Sequence, residues 1–231
     1  MRLKDPFWDY SDLALFIGLV LPSLLVTALA AKLLERAPKA VALIVAQSVM
    51  YLVLFAGLYA ILWIRHGQPV WEGLGFINSQ VAHWKAALLG IALAFSLSGL
   101  GVLLRTPQMT DPMKDLLDGN LAVAVVGVAA TTVMPVCEEL AFRGFLLPLF
   151  ARTAGLWLAL LLTSLPFALM HGPQYEWHWQ HMFLLTLAGG AFGLMRAWSG
   201  STISASLMHA TYNMTFMLGY IFQEKELTGT W

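Results

Sequence analysis

The feature that most restricts the fold of this chain is a series of long apolar stretches separated by short polar connections. Each stretch is long enough, or nearly so, to cross about 30 Å of hydrocarbon, which takes about 20 residues of α-helix. The 231 residues are 59% hydrophobic and 11% charged, whereas soluble proteins average about 45–50% apolar and about 25% charged residues. A soluble globular protein is therefore excluded, and the sequence predicts an all-α, polytopic transmembrane helical bundle. The apolar stretches lie at 13–31, 40–64, 86–104, 121–151, 156–171, 182–198 and 202–222.

The stretch at 121–151 is too long for one straight crossing, and the Met134-Pro135 step interrupts it. Proline disfavours helix in the residue before it and is tolerated at the first position of a helix. We therefore expect one helix to end near Val133 and a second to run from Pro135 to about Phe150. With this division the bundle has seven to eight helices.

The connections between the apolar stretches are too short to fold as separate soluble domains. The sequence thus predicts one membrane-embedded domain over residues 1–231, with the functional core at about 121–222. The first apolar stretch lacks a small-residue cleavage site of the usual form, and we expect it to be retained as a helix.

Charge and cysteine content exclude several classes of function. Thirteen Lys and Arg balance thirteen Asp and Glu, so no basic face for nucleic acid is indicated. The single cysteine, Cys137, excludes an intramolecular disulfide and a zinc site built from several cysteines.

Ionisable residues inside an apolar stretch indicate a functional site, because they are costly in a membrane and usually face the bundle interior. Glu139 and Arg143 are four residues apart with the acid first, which is the favourable helical pairing. Glu138 is left without this partner, and desolvation makes a buried carboxylate a stronger base, as a general base requires. The alternative is that both acids and Arg143 form one structural ion-pair network.

Two later segments carry polar residues on shared helical faces. His209 and Asn213 are four apart and can present two hydrogen-bond donors side by side, or they can simply join helices. Phe167 and His171 also share a face; here the alternatives are a functional imidazole with a packing phenylalanine, or an interfacial histidine. At 1.5 Å per residue, a hairpin turning near Thr153 returns His171 to the level of Glu138, so we expect these groups to converge in one pocket.

The three motifs read EELAFR at 138–143, FALMH at 167–171 and HATYN at 209–213. Together they resemble the signature of the CAAX protease and bacteriocin-processing family of intramembrane peptidases, which includes the CAAX prenyl proteases. The resemblance spans about residues 130–215, and every motif position matches.

The resemblance implies hydrolysis of a peptide bond inside the membrane, near the C-terminus of a membrane-associated protein or peptide. It implies that Glu138 activates water with His171 beside it, and that His209 and Asn213 hold the oxyanion. Glu139, Arg143 and Phe167 are then supporting residues, and no cofactor is required. Substrates of the family include lipidated proteins and C-terminal membrane tails. We expect a multi-pass protein, most simply of a bacterial or archaeal cytoplasmic membrane, in contact with lipid and with a protein substrate.

Other mechanisms remain open at this stage. Glu138, His171 and His209 are a permissible zinc ligand set for a metallopeptidase, although the chain has no HExxH motif. Cys137, next to Glu138, could serve a cysteine peptidase. The same polar pocket could also belong to a non-enzymatic binding, immunity or proton-relay protein.

The loop that follows His171 is rich in aromatic residues, with Tyr175, Trp177 and Trp179. Such residues commonly form a belt at the membrane interface. Because the loop directly follows His171, we also consider it part of the substrate entrance.

Overall fold

The computed structural model describes residues 3–107 and 109–228, and within them it contains helices and connecting turns but no strand. A π-helical segment, Leu140–Leu146, joins α8 to α9, and a short 3₁₀ turn, Pro173–Tyr175, joins α9 to α10. The α-helices are α1 Tyr10–Gly18, α2 Val20–Leu33, α3 Lys39–His66, α4 Val70–Gly73, α5 His83–Leu103, α6 Asp111–Leu116, α7 Asn120–Thr131, α8 Val133–Glu139, α9 Leu147–Met170, α10 Trp179–Ser199 and α11 Thr202–Thr228.

Five helical spans in the described residues are long and apolar enough to cross a membrane. The protein is therefore an all-α polytopic membrane bundle, as the apolar stretches predicted. The longest span, Asn120–Met170, includes a reversal at Gly155, whose φ of 76° lies in the left-handed region that glycine adopts readily. This turn lies two residues beyond the one expected near Thr153. The five spans are Tyr10–Leu33, Lys39–His66, His83–Leu103, Asn120–Met170 and Trp179–Ser199.

The last helix, α11, is long enough to cross but is more polar than these five. Its polar side chains face the bundle rather than lipid: Ser204, Ser206 and His209 are buried. The helix packs against α5, α7, α8 and α10. The close packing of α5 against α11 requires glycine at position 90, because a Cβ on Gly90 would collide with the Met208 carbonyl and the Thr211 hydroxyl. Helix α11 is thus the inner helix that carries polar groups to the centre.

The predicted interruption of the stretch at 121–151 is present, but it lies at Thr132 rather than at the Met134-Pro135 step. Thr132 has φ −130° and ψ −83°, which separates α7 from α8. Pro135 follows in the first turn of α8, where its missing N–H removes no helical hydrogen bond. The break lets α8 start in a new direction and places Glu138 and Glu139 at its end.

The N-terminal segment is docked on the π-helical segment. The indole N–H of Trp8, which is fully buried, donates to the Phe145 carbonyl at 3.2 Å. Arg152 donates to the carbonyls of Pro6 and Trp8. A π-helix displaces carbonyls from the regular pattern of α-helical bonding, and Trp8 satisfies one of them.

A second anchor, which we call the peripheral cluster, consists of Asp12, Arg65 and His66. Asp12 is fully buried, with Arg65 Nε at 2.7 Å and His66 Nε2 at 2.9 Å from its carboxylate. The cluster joins the beginning of α1 to the end of α3. The division into one domain over residues 1–231 stays a prediction.

Candidate active site

The centre of the bundle holds a buried ion pair at the start of the π-helical segment. Arg143 Nη1 donates to Glu139 Oε1 at 2.8 Å, and both side chains are fully buried. Arg143 Nη2 also donates to the carbonyl of Gly189 on α10 at 2.7 Å. The pairing expected from the four-residue spacing is therefore present, and it additionally fixes α10.

Three aromatic rings surround the Arg143 guanidinium. Its central carbon lies 4.7 Å from the ring centroid of Phe167, 5.6 Å from Phe192 and 5.7 Å from Phe142. Ring faces attract a cation, most strongly where water is absent. Phe167 therefore does more than fill space: it contacts the cation that compensates Glu139.

His209 completes what we call the central cluster of Glu139, Arg143 and His209. Its Nδ1 lies 3.0 Å from Glu139 Oε1, and its ring stacks on Phe192 at 4.4 Å between centroids. Because an ionised carboxylate only accepts hydrogen bonds, Nδ1 carries a proton. For Nε2 to donate as well, the ring must be the imidazolium.

Glu138 is the remaining acid beside the central cluster. Its Oε2 lies 3.8 Å from His209 Nε2, and its side chain is 14% exposed. Its Oε1 accepts a hydrogen bond from the Tyr51 hydroxyl at 3.2 Å. Glu138 thus differs from Glu139 in having no arginine partner and in retaining access from outside. Tyr51 was missed by the sequence analysis, because a tyrosine inside an apolar helix is indistinguishable from an ordinary packing residue.

His171 approaches the cluster through Phe167. Its Nδ1 lies 2.9 Å from the Phe167 carbonyl, and the two rings are 4.9 Å apart. Since a carbonyl only accepts, Nδ1 holds the proton and Nε2 carries the lone pair in the neutral ring. Within the described residues the structure shows no hydrogen bond between His171 and Glu138. The ring of Phe167 also contacts His209 at 5.7 Å and so links the two histidines.

Asn213 lies one turn beyond His209 on α11, as its spacing predicted. Its Nδ2 donates to the carbonyl of Ala130 at 2.8 Å. Ala130 belongs to the last turn of α7, directly before the break at Thr132. A primary amide has two N–H groups, so this bond orients Asn213 and leaves one donor for another acceptor.

The aromatic loop after His171 packs on α6 through its backbone. Thr110 donates to the Gln174 carbonyl at 2.7 Å, and Tyr175 stacks on His181 at 4.3 Å between centroids. Trp177 and Trp179 are 60% and 62% exposed. These positions suit an interfacial belt and a substrate entrance equally, and the entrance stays a prediction.

An open groove of about 500 Å³ lies beside the α7–α8 break and one face of α11. Its lining includes Thr132, Cys137, Ser206 and Ala210. Cys137 and Ala210 are the chain neighbours of Glu138 and His209, which do not themselves line the groove. Sequence analysis could not find it, because it arises from the way the break packs against α11.

The residues of the zinc alternative are not gathered as a ligand set. Within residues 3–107 and 109–228, no three His, Cys, Asp or Glu side chains are arranged to hold a metal ion. Glu138 and His209 approach each other, whereas His171 bonds to the Phe167 carbonyl.

Comparison with known proteins identifies one family. Residues 120–215 match the Rce1-like family, described as type II CAAX prenyl endopeptidase Rce1-like. The match contains all three motifs and confirms the family resemblance over this part of the chain. No curated protein and no solved structure matches the chain.

Proposed function

We propose that this integral membrane protein is an intramembrane endopeptidase that uses Glu138 to activate water. The match of residues 120–215 to a CAAX prenyl endopeptidase family supports a peptidase. The observation that carries the assignment to Glu138 is the inequality of the two adjacent acids. Glu139 is fully buried against Arg143, whereas Glu138 meets no arginine among the described residues and keeps part of its side chain exposed.

The roles of the other groups follow from their hydrogen-bonding capacity. Glu138 Oε2 accepts a proton from the water whose oxygen attacks the scissile carbonyl carbon, and this proton passes to the amine that leaves when the C–N bond breaks. The lone pair on His171 Nε2 provides a second hydrogen-bond acceptor for the water. His209, as the imidazolium held by Glu139, and the second N–H of Asn213 donate to the oxyanion of the tetrahedral intermediate. Donors fixed in a dry site typically lower the barrier by about 3–4 kcal/mol each.

The substrate we propose is a membrane-associated protein or peptide that is cleaved near its C-terminus. The groove lined by Cys137 and Ala210, the chain neighbours of Glu138 and His209, is largely apolar, which suits a peptide that arrives from the membrane. A prenylated cysteine followed by three residues, the sequence that directs prenylation, is the first substrate to test.

The proposal is tested with Glu138→Gln, and Glu72→Gln is the matched control on the exposed end of the bundle. Purified protein in liposomes is given a farnesylated Cys-a-a-X peptide, and protein termini are compared in cells by terminus-selective mass spectrometry. We expect Glu138→Gln to reduce cleavage by about 10²- to 10⁴-fold, the usual contribution of a general base, while Glu72→Gln retains it.

Treatment with a chelator distinguishes the glutamate mechanism from a zinc-dependent one. Under this proposal, cleavage persists after dialysis against EDTA, whereas a zinc peptidase loses activity and recovers it with zinc. If termini from wild-type and Glu138→Gln cells coincide while a cellular phenotype is lost, the peptidase assignment fails and a binding or proton-relay role takes its place.

A further inference from the structure

Helix α3 contributes a direct hydrogen bond to Glu138 from outside residues 120–215. The Tyr51 hydroxyl lies 3.2 Å from Glu138 Oε1, across 87 positions of sequence. On the same helix, one turn earlier, Gln47 Nε2 lies 3.0 Å from the Tyr51 hydroxyl oxygen. Neither residue belongs to the three motifs.

The direction of these bonds is fixed by what each group can donate. A carboxylate only accepts, so the single hydroxyl hydrogen of Tyr51 is committed to Glu138. The Tyr51 oxygen is then free to accept from the Gln47 amide. Gln47 therefore acts on Glu138 only through Tyr51, and the three groups form a chain with one polarity.

The two oxygens of Glu138 are consequently in different surroundings. Oε1 is occupied by the Tyr51 hydroxyl, while Oε2 faces His209 Nε2 at 3.8 Å. A gap of this length exceeds a hydrogen bond, so Oε2 is the carboxylate oxygen not committed to a protein donor.

We propose that Tyr51 is a positioning residue that holds Glu138 by Oε1 and directs Oε2, as the proton-accepting atom, toward the reacting water beside His209. This inference rests on the proposed function for its catalytic consequence. It adds α3 to the site, although the family match begins only at residue 120.

The kinetic test uses Tyr51→Phe, which removes the hydroxyl and keeps the ring. Tyr59→Phe is the matched control, because it makes the same change two turns later on α3, where the tyrosine ring is exposed and stacks on Trp63. We expect kcat to fall by about 10- to 100-fold in Tyr51→Phe, as the loss of a hydrogen bond to a charged group implies. KM should stay within about twofold, and Tyr59→Phe should match wild type.

The hydrogen-bond chain from Gln47 through Tyr51 to Glu138 gives a second kinetic readout. A general destabilisation of α3 would not produce it. Gln47→Leu alone should lower kcat by a smaller factor than Tyr51→Phe. In the Tyr51→Phe background it should have no further effect, because the atom through which it acts is gone. Additive losses in the double variant contradict the inference.

A measurement independent of cleavage follows the carboxyl group itself. Carbodiimides react with carboxyl groups that they can reach, and labelling of Glu138 is quantified by peptide mass spectrometry. The Tyr51 hydroxyl occupies Oε1 in the wild type, so Tyr51→Phe should leave this oxygen open to the reagent and label severalfold faster than wild type, whereas Tyr59→Phe should not.

These readouts separate failure of the inference from failure of the proposed function. If Glu138→Gln still cleaves, the proposed function is wrong, and the labelling rates still decide whether Tyr51 holds Glu138. If Glu138→Gln is inactive while Tyr51→Phe retains wild-type kcat and labelling, the inference about Tyr51 is overturned.

Discussion

The molecule builds the same trio of side chains twice, in two different surroundings. In the peripheral cluster, Asp12 is bound by Arg65 and His66, whose side chains are 40% and 21% exposed. In the central cluster, Glu139 is bound by Arg143 and His209, which are 0% and 4% exposed. Each cluster has a further acid nearby. Asp9 accepts from the backbone N–H groups of Ser11 and Asp12, whereas Glu138 Oε2 lies 3.8 Å from His209 Nε2, beyond hydrogen-bond distance. The comparison shows that an acid, an arginine and a histidine make an anchor in both places, and that the neighbouring acid caps a helix at the periphery but keeps an oxygen without a hydrogen bond in the centre.

The largest expected difference between the two clusters follows from removing the arginine of each. Arg143→Met leaves the Glu139 charge buried with only His209, and breaking a buried pair typically costs about 3–5 kcal/mol. Arg65→Met should cost less, because Arg65 is 40% exposed, so that water can replace part of its contact, and His66 still binds Asp12. Free energies of unfolding in mixed micelles measure both. Equal losses would show that the two clusters are energetically equivalent.

The central cluster also depends on a close approach that can be removed without changing a charge. A Cβ on Gly189 would lie 2.9 Å from Arg143 Nη2 and 3.2 Å from the Phe167 ring. We expect Gly189→Ala to destabilise the protein by about 1–3 kcal/mol, the usual cost of overpacking.

Gly190→Ala is the control for this substitution, because its nearest neighbour, Ser164 Oγ, would lie 3.9 Å away. At that position alanine should be neutral or stabilising by up to about 1 kcal/mol, since it favours helix over glycine. Thermal unfolding of the two variants in parallel makes the comparison. A loss of similar size in both would mean that the Gly189 contact with Arg143 is not the cause.

The contact between the N-terminal segment and the π-helical segment is tested at Trp8, whose indole N–H joins them. Trp8→Phe removes the donor to the Phe145 carbonyl, and an unsatisfied buried group costs about 1–3 kcal/mol. Trp157→Phe, at a position that is 75% exposed, should leave stability unchanged. The readout is again unfolding, with limited proteolysis of the N-terminal segment as a local probe. An intact segment in Trp8→Phe would show that Arg152 alone holds it.

The smallest effect is expected at Asp9, which is the N-cap of α1 and lies three residues before Asp12. Hydrogen bonds from the Ser11 hydroxyl and then from the Ser11 N–H lower the Asp9 pKa below its ordinary 3.8. Because the pKa of Asp9 is lower in the folded chain than in the unfolded chain, the cap stabilises α1 fully above pH 3.8. This stabilisation is lost as the pH falls through the pKa that Asp9 has in the folded chain. Protection of the Ser11 amide against hydrogen exchange should therefore fall in acid, and Asp9→Ala should abolish this pH dependence.

Sequence reasoning predicted the short-range contacts of the candidate site better than its long-range contacts. The Glu139–Arg143 pair was predictable because four-residue spacing is a property of the helix itself. The contact of His209 with Glu139 spans 70 positions and Tyr51 with Glu138 spans 87, and such pairings depend on how helices pack, which local patterns do not encode. Of the groups expected to converge, Glu138 and His209 lie 3.8 Å apart, and their shared role stays a prediction. His171 and Asn213 instead bond to backbone carbonyls of Phe167 and Ala130.

The interruptions of the long apolar stretch at 121–151 show the same difference between local and long-range signals. A break was predicted from Pro135, but the irregular residue is Thr132, because proline is tolerated in the first turn of a helix and α8 therefore begins before it. No pattern predicted the π-helical segment at Leu140–Leu146. One of its carbonyls, that of Phe145, accepts from Trp8, far away in the sequence. The partners of Asp12 on α3, Arg65 and His66, also lie beyond any local signal.

The bond from Trp8 to Phe145 has a consequence for the order of biosynthesis. Its donor leaves the ribosome early, whereas its acceptor is made 137 residues later. At about 5–20 residues per second, that interval is on the order of ten seconds. The bond therefore cannot form until the segment that carries the central arginine has been made. His209 and Asn213 follow Phe145 in the chain, so the N-terminal segment can close before the last groups of the candidate site are synthesised, and it can provide a docked surface for them.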